Sequence, residues 1–69
     1  METIRLREEY IKLGQALKAA GLAESGVEAK DVIAQGLVSV NGSAETRRGR
    51  KLFAGDTVLY NGKEIKITE

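Results

Sequence analysis

The chain has 69 residues, a formal net charge of +1, and neither cysteine nor histidine. A chain this short is one domain at most and buries only about 60% of the surface its unfolded form exposes, so it must fold on one small apolar core. The missing residue types exclude disulfide staples and the usual zinc sites. The start, Met1-Glu2-Thr3-Ile4-Arg5, is followed by no apolar run fit for a signal peptide or membrane span, so a cytoplasmic protein with no membrane association is expected.

Residues 3 to 7 alternate, with Ile4 and Leu6 on one side and Thr3, Arg5 and Arg7 on the other. This period of two reads as a half-buried strand. From Leu13 the period changes. Leu13, Ala16, Leu17 and Ala20 share one helical face, with Lys12, Gln15 and Lys18 elsewhere on the wheel and Gly21 as the left-handed stop. A helix over residues 13 to 20 is predicted. Ser25 followed by Glu28 makes a capping box. Ala29, Val32 and Ile33 lie on one arc and Gly36 closes the segment, predicting a second helix over 26 to 35. The short connection makes the two helices steeply angled neighbours.

After Gly36 the pattern is strand. Val38 and Val40 lead into Asn41-Gly42, and Val58-Leu59-Tyr60 leads into Asn61-Gly62. Both Asn-Gly pairs supply the residues a type I′ hairpin turn demands. Residues 43 to 46 and 57 to 60 read as strands, Ala54-Gly55-Asp56 as a turn, and Ile65 and Ile67 as the core face of a last strand. The two hairpins are too few for a repeat array.

Charge distribution says more than its sum. Residues 1 to 36 carry five basic and six acidic side chains, and residues 37 to 69 carry six basic and four acidic. Arg47, Arg48, Arg50 and Lys51 put four positive charges in five residues, with no acidic residue between Glu45 and Asp56. Guanidinium groups match phosphate oxygens in bidentate geometry, and Gly49 inside the run allows close backbone approach to a ligand. The competing reading of the run is a solvated loop that discourages edge pairing. Lys12 opens the first helix and Lys30 sits on the second; if the helices meet at their starts, both border one positive surface. An enzyme is not indicated: acid–base chemistry is left to carboxylates, Lys and Tyr, Ser25 has a capping role with no base beside it, and no dinucleotide-binding or Walker loop occurs.

The order of residues from Lys12-Leu13-Gly14-Gln15-Ala16-Leu17 through Ser25, Ala29 and Ile33 to Gly36-Leu37-Val38-Ser39-Val40-Asn41-Gly42 and Gly55-Asp56-Thr57-Val58 resembles the alpha-L RNA-binding motif. This is the domain named after small-subunit ribosomal protein S-four. The likeness covers about residues 10 to 60, and the short length and arginine-rich segment are most similar to free-standing bacterial members of the YaaA and YbcJ type. It implies an α+β fold, two short packed helices followed by a small antiparallel, hairpin-rich sheet, with Ile4 and Leu6 adding a strand beside the last one. It also implies a single RNA-binding domain over residues 1 to 69, expected to be a monomer. RNA contacts are expected from Lys12, Ser25 and Lys30 on the helices and from Arg47, Arg48, Arg50 and Lys51 after them, with no metal or other cofactor. Where the family often has Arg-Leu-Asp and Ser-Arg at the two helices, this chain has Lys12-Leu13-Gly14 and Ser25-Gly26.

With only Tyr10, Phe53 and Tyr60 as aromatics, and Phe53 and Tyr60 read as core or strand residues, base stacking is expected to be minor. The expected target is therefore the phosphate and ribose of a structured ribosomal or transfer RNA, read by shape. Alanine at Arg47, Arg48 and Arg50 should then weaken binding with little effect on stability. A protein-interaction module on a ribosomal or replication partner, and a binder of structured DNA, are the alternative readings.

Overall fold

The computed structural model describes residues 2–69. In chain order the elements are β1 (Glu2–Arg5), β2 (Ile11–Lys12), α1 (Leu13–Ala19), α2 (Gly26–Ala34), β3 (Val38–Val40), β4 (Ser43–Ala44), β5 (Lys51–Leu52), β6 (Thr57–Tyr60) and β7 (Lys63–Thr68). Each helix is one residue shorter than its periodicity suggests, because Ala20 and Gln35 serve as C-caps. Gly21 and Gly36 follow at φ 75° and 76°, the left-handed step that lets Leu22 and Leu37 N–H groups bond back to Leu17 and Val32.

The N-terminus of α2 is capped by Ser25, whose hydroxyl accepts from the Glu28 N–H at 3.1 Å. The return arm of the expected capping box goes elsewhere: the Glu28 carboxylate accepts from the Glu24 N–H at 3.4 Å. At α1 there is no Asp, Ser or Thr to cap. Gln15 Oε1 accepts from the Lys12 N–H, and the next two donors go to the arginine-rich segment: Leu13 N–H to the Arg50 carbonyl at 2.9 Å and Gly14 N–H to the Arg48 carbonyl at 3.0 Å. Helix donors without intrahelical partners are thus satisfied by distant backbone.

Five strands form one sheet in the order β1-β7-β6-β3-β4. Asn41 and Asn61 both adopt φ 52° with a positive-φ glycine after them, so both Asn-Gly turns join antiparallel strands as expected. β1 lies beside β7, where Ile4 and Leu6 point, but pairs in parallel, with Ile4 opposite Ile67. The sheet is therefore mixed. β4 is shorter than residues 43 to 46, because Glu45 turns inward. A separate two-stranded ribbon joins β2 to β5, with Ile11 opposite Leu52 and Lys12 opposite Lys51.

The core lies between the helix pair and one face of the sheet. Leu13, Ala16 and Leu17 of α1 and Ala29 and Ile33 of α2 meet Val38, Val40, Val58, Ile65 and Ile67, with Leu52 of β5 joining them. Burying each large aliphatic side chain stabilises by about 1.5–3 kcal/mol. Among the described residues no helix is long and apolar enough to cross a membrane.

Candidate nucleic-acid interface

The ladder of β2 with β5, together with the two bonds from the start of α1, docks residues 48 to 52 against the first helix. This docking creates an open groove of about 450 Å³ whose wall is made by Lys12, Gln15 and Lys18 on one side, Gly26 and Ala29 of α2 on another, and Arg48 on a third. No carboxylate lines it, so its three charged side chains are all cationic. Gly14 and Gly49 complete the lining. A Cβ added at Gly26 or Gly49 would meet nothing within 4 Å, so the backbone there is open to a ligand.

The four-charge run is divided by a carboxylate. Glu45 is 6% exposed. One of its oxygens accepts from Arg47 Nε at 3.0 Å and from the N–H groups of Thr46 and Arg47; the other accepts from Arg47 Nη2 and Arg50 Nη1. The bonds from Arg47, then those from Arg50, hold the Glu45 carboxyl down to about pKa 2, against a smaller upward push from burial, and Glu45 in turn raises the Arg47 guanidinium. Charged, saturated and nearly dry, the carboxylate ties residues 45 to 50 into one shape.

The structure brings some of the expected residues together and separates others. Lys12 and Arg48 share the groove, joined by Lys18, which sequence reasoning left outside the site although Lys12, Gln15 and Lys18 recur every three residues. Arg47, Arg50 and Lys51 border a second, shallower concavity. Lys51 belongs to a strand and places Nζ 4.8 Å from the Tyr10 ring centroid. The Ser25 hydroxyl is engaged as a helix cap. Lys30 is exposed on α2 but lines neither concavity. Two expectations need correction. Arg47 and Arg50 are not free surface cations, since both bind the buried Glu45, so alanine at these positions should cost stability. Phe53 is not a core residue: it is 43% exposed. Among the described residues no group of three or more acidic side chains could hold a metal ion.

Two helices packed on a mixed sheet, with the arginine-rich segment bonded to the start of the first, constitute the alpha-L architecture. The chain belongs to the S4 domain family, whose model matches residues 4–68. It is 39% identical over 61 residues to YbcJ of Escherichia coli, covering 88% of this chain and 87% of that protein. The solution structure of YbcJ, described as having an alpha-L motif involved in RNA binding, superposes with TM-score 0.76 at 38% identity, over all of this chain and 89% of the other. The "Probable ribosome maturation protein RlbA" of Bacillus subtilis is 44% identical over 59 residues, 86% of this chain and 83% of that one. A tyrosine–tRNA ligase of Burkholderia lata is 42% identical over 61 residues, which are 88% of this chain but 15% of the ligase.

Proposed function

We propose that residues 1 to 69 act as a single, non-enzymatic domain that binds structured RNA by its phosphates. The observation that carries this reading is the groove at the meeting of α1, α2 and the arginine-rich segment: Lys12, Lys18 and Arg48 surround an open glycine backbone and no carboxylate intervenes. Cations around exposed backbone suit a phosphate chain, which the protein grips without reading bases. Lys51, Arg47 and Arg50 extend the positive surface beyond the groove, Ser25 acts by fixing the start of α2, and Lys30 serves RNA that runs on along that helix. The YbcJ description supports RNA as the ligand. RlbA, named for ribosome maturation, favours ribosomal RNA as the particular class, and a cytoplasmic setting goes with that reading; the ligase keeps transfer RNA as the other candidate.

Competition at one salt concentration tests the reading. A folded ribosomal or transfer RNA should displace a labelled RNA at lower concentration than duplex DNA or an unstructured single strand. Equal displacement by duplex DNA would move the structured-DNA reading ahead.

The protein-partner reading has one observation in its favour. Leu59, opposite Ser39 in the β3–β6 pair, is 46% exposed, and Leu37, just before β3, is 54% exposed. Leu59→Lys should leave RNA affinity unchanged under the RNA reading.

A further inference from the structure

We infer that the outer face of the β2–β5 ribbon is a stacking platform for one unpaired base of the bound RNA. This inference rests on the RNA reading above and adds a second kind of contact to it. Successive residues of a strand point to opposite faces. Ile11 and Leu52, directly paired, face inward, Leu52 fully buried and Ile11 packed against the core. The other pair of the ribbon, Lys12 and Lys51, therefore faces outward, and Tyr10 and Phe53 flank the ribbon at one end. The side chains meet there: the Tyr10 and Phe53 rings lie 6.0 Å apart at 52°, and Lys51 Nζ sits 4.8 Å from the Tyr10 centroid.

Two of the chain's three aromatics are thus gathered on the surface beside the cations, and the third, Tyr60, packs against the core. The backbone that carries Phe53 is held in place. The Phe53 N–H donates to the Asp56 carboxylate at 2.8 Å, and the Phe53 carbonyl accepts from the Asp56 N–H at 3.0 Å. A backbone held in this way need not be ordered when a base lands on the ring. Lys51 occupies one side of Tyr10 within the usual cation–π range of about 6 Å, which leaves the exposed ring of Phe53 as the surface for a base.

Charge sets the direction of the strand. On one side Phe53 borders a concavity that it shares with Glu8, Glu9 and Glu69, with only Arg7 against them. On the other side Lys51 leads to Arg50 and Arg47, and Lys12, opposite Lys51, leads into the groove. An RNA whose phosphates lie in the groove thus passes Lys51 and keeps its phosphates on the cationic side, while the uncharged base reaches Phe53 at the border with the carboxylates. An unpaired nucleotide is required, because a base inside a helix offers no free face.

Two RNA duplexes closely matched in length and charge test this, one fully paired and one with a single bulged 2-aminopurine. The full chain should bind the bulged RNA at least about fivefold more tightly, near the lower end of what one base–aromatic stack contributes, and quench the 2-aminopurine. Phe53→Ala and Phe53→Leu, both at an exposed position, should abolish preference and quenching while keeping the affinity and salt dependence for the paired RNA. Equal binding of the two RNAs by the unaltered chain, or a preference that survives Phe53→Ala, overturns the platform and leaves the phosphate groove standing. Failure to bind either RNA overturns the RNA reading itself. A Phe53→Ala effect on self-association in sedimentation, with RNA binding unchanged, would mark the face as a contact between copies and likewise overturn the platform.

Discussion

Arg50 donates Nη1 to Glu45 Oε1 at 3.0 Å across five residues of chain, while its own carbonyl accepts from the Leu13 N–H at the start of α1. The same residue therefore binds the buried carboxylate and completes the first helix. Arg48, two positions earlier, accepts from the Gly14 N–H with its carbonyl and has its side chain at the groove. Glu45 thereby sets where Arg48 stands, without touching the groove.

Replacing Glu45 by Gln keeps the shape and removes the charge that organises the segment. Stability should fall by about 1–3 kcal/mol in chemical denaturation, as for loss of hydrogen bonds to a charged group. Because folding depresses the carboxyl to about 2 from a usual value of 4.5, the contribution is complete above about pH 4.5 and is lost as pH falls towards 2. The difference in stability between the two proteins should shrink over that window. RNA affinity should drop although the net charge becomes more positive. Tighter binding by Glu45→Gln would mean that charge count, not placement, governs the site.

Ile33 is fully buried between the helices and the sheet. Ile33→Ala should cost about 2–5 kcal/mol, a large part of what so small a domain has. A loss under half a kcal/mol in chemical denaturation would contradict the packing described for α2.

The helices and hairpins were legible in the sequence because each rests on local rules: the three- and four-residue apolar spacing, Ser25, the stop glycines and the Asn-Gly turns. Contacts between distant segments were not. The two Asn-Gly pairs look alike, yet Asn41 Nδ2 donates to Asp56 at 3.1 Å and its Oδ1 accepts from the Thr57 N–H at 2.9 Å, tying one hairpin to the next. The β2–β5 ribbon is two residues long on each side, too short for alternation to signal it. Glu45 reads as an ordinary acidic residue until the chain folds Arg47 and Arg50 around it. The basic run was visible; its division into groove, fork and ribbon depends on those long-range pairings.

Gly26 lines the groove and has open space around its Cβ direction. Gly26→Arg should therefore add a groove cation without a clash. Like-signed helix-dipole repulsion at the first turn costs about 0.3–1 kcal/mol of stability. Affinity for structured RNA should rise, and the dependence of log K on log salt should steepen by about one unit. Unchanged affinity and slope in a folded variant would indicate that phosphates do not reach the start of α2.

Under the proposed function, RNA phosphates lie in the groove between Lys12, Lys18 and Arg48. The salt dependence of binding to a folded RNA, in the unaltered chain and in Lys12→Ala/Arg48→Ala, measures it directly. With about three to four phosphates neutralised, the slope of log K against log salt should be about −2 to −4, and the double variant should flatten it by about two units. The loss should be similar across RNA sequences, because phosphate contacts carry no base information. Stability should change by no more than about half a kcal/mol per substitution, since both side chains are exposed and the backbone bonds to α1 are retained. A folded double variant with unchanged affinity and unchanged slope would mean that the phosphates do not lie in this groove.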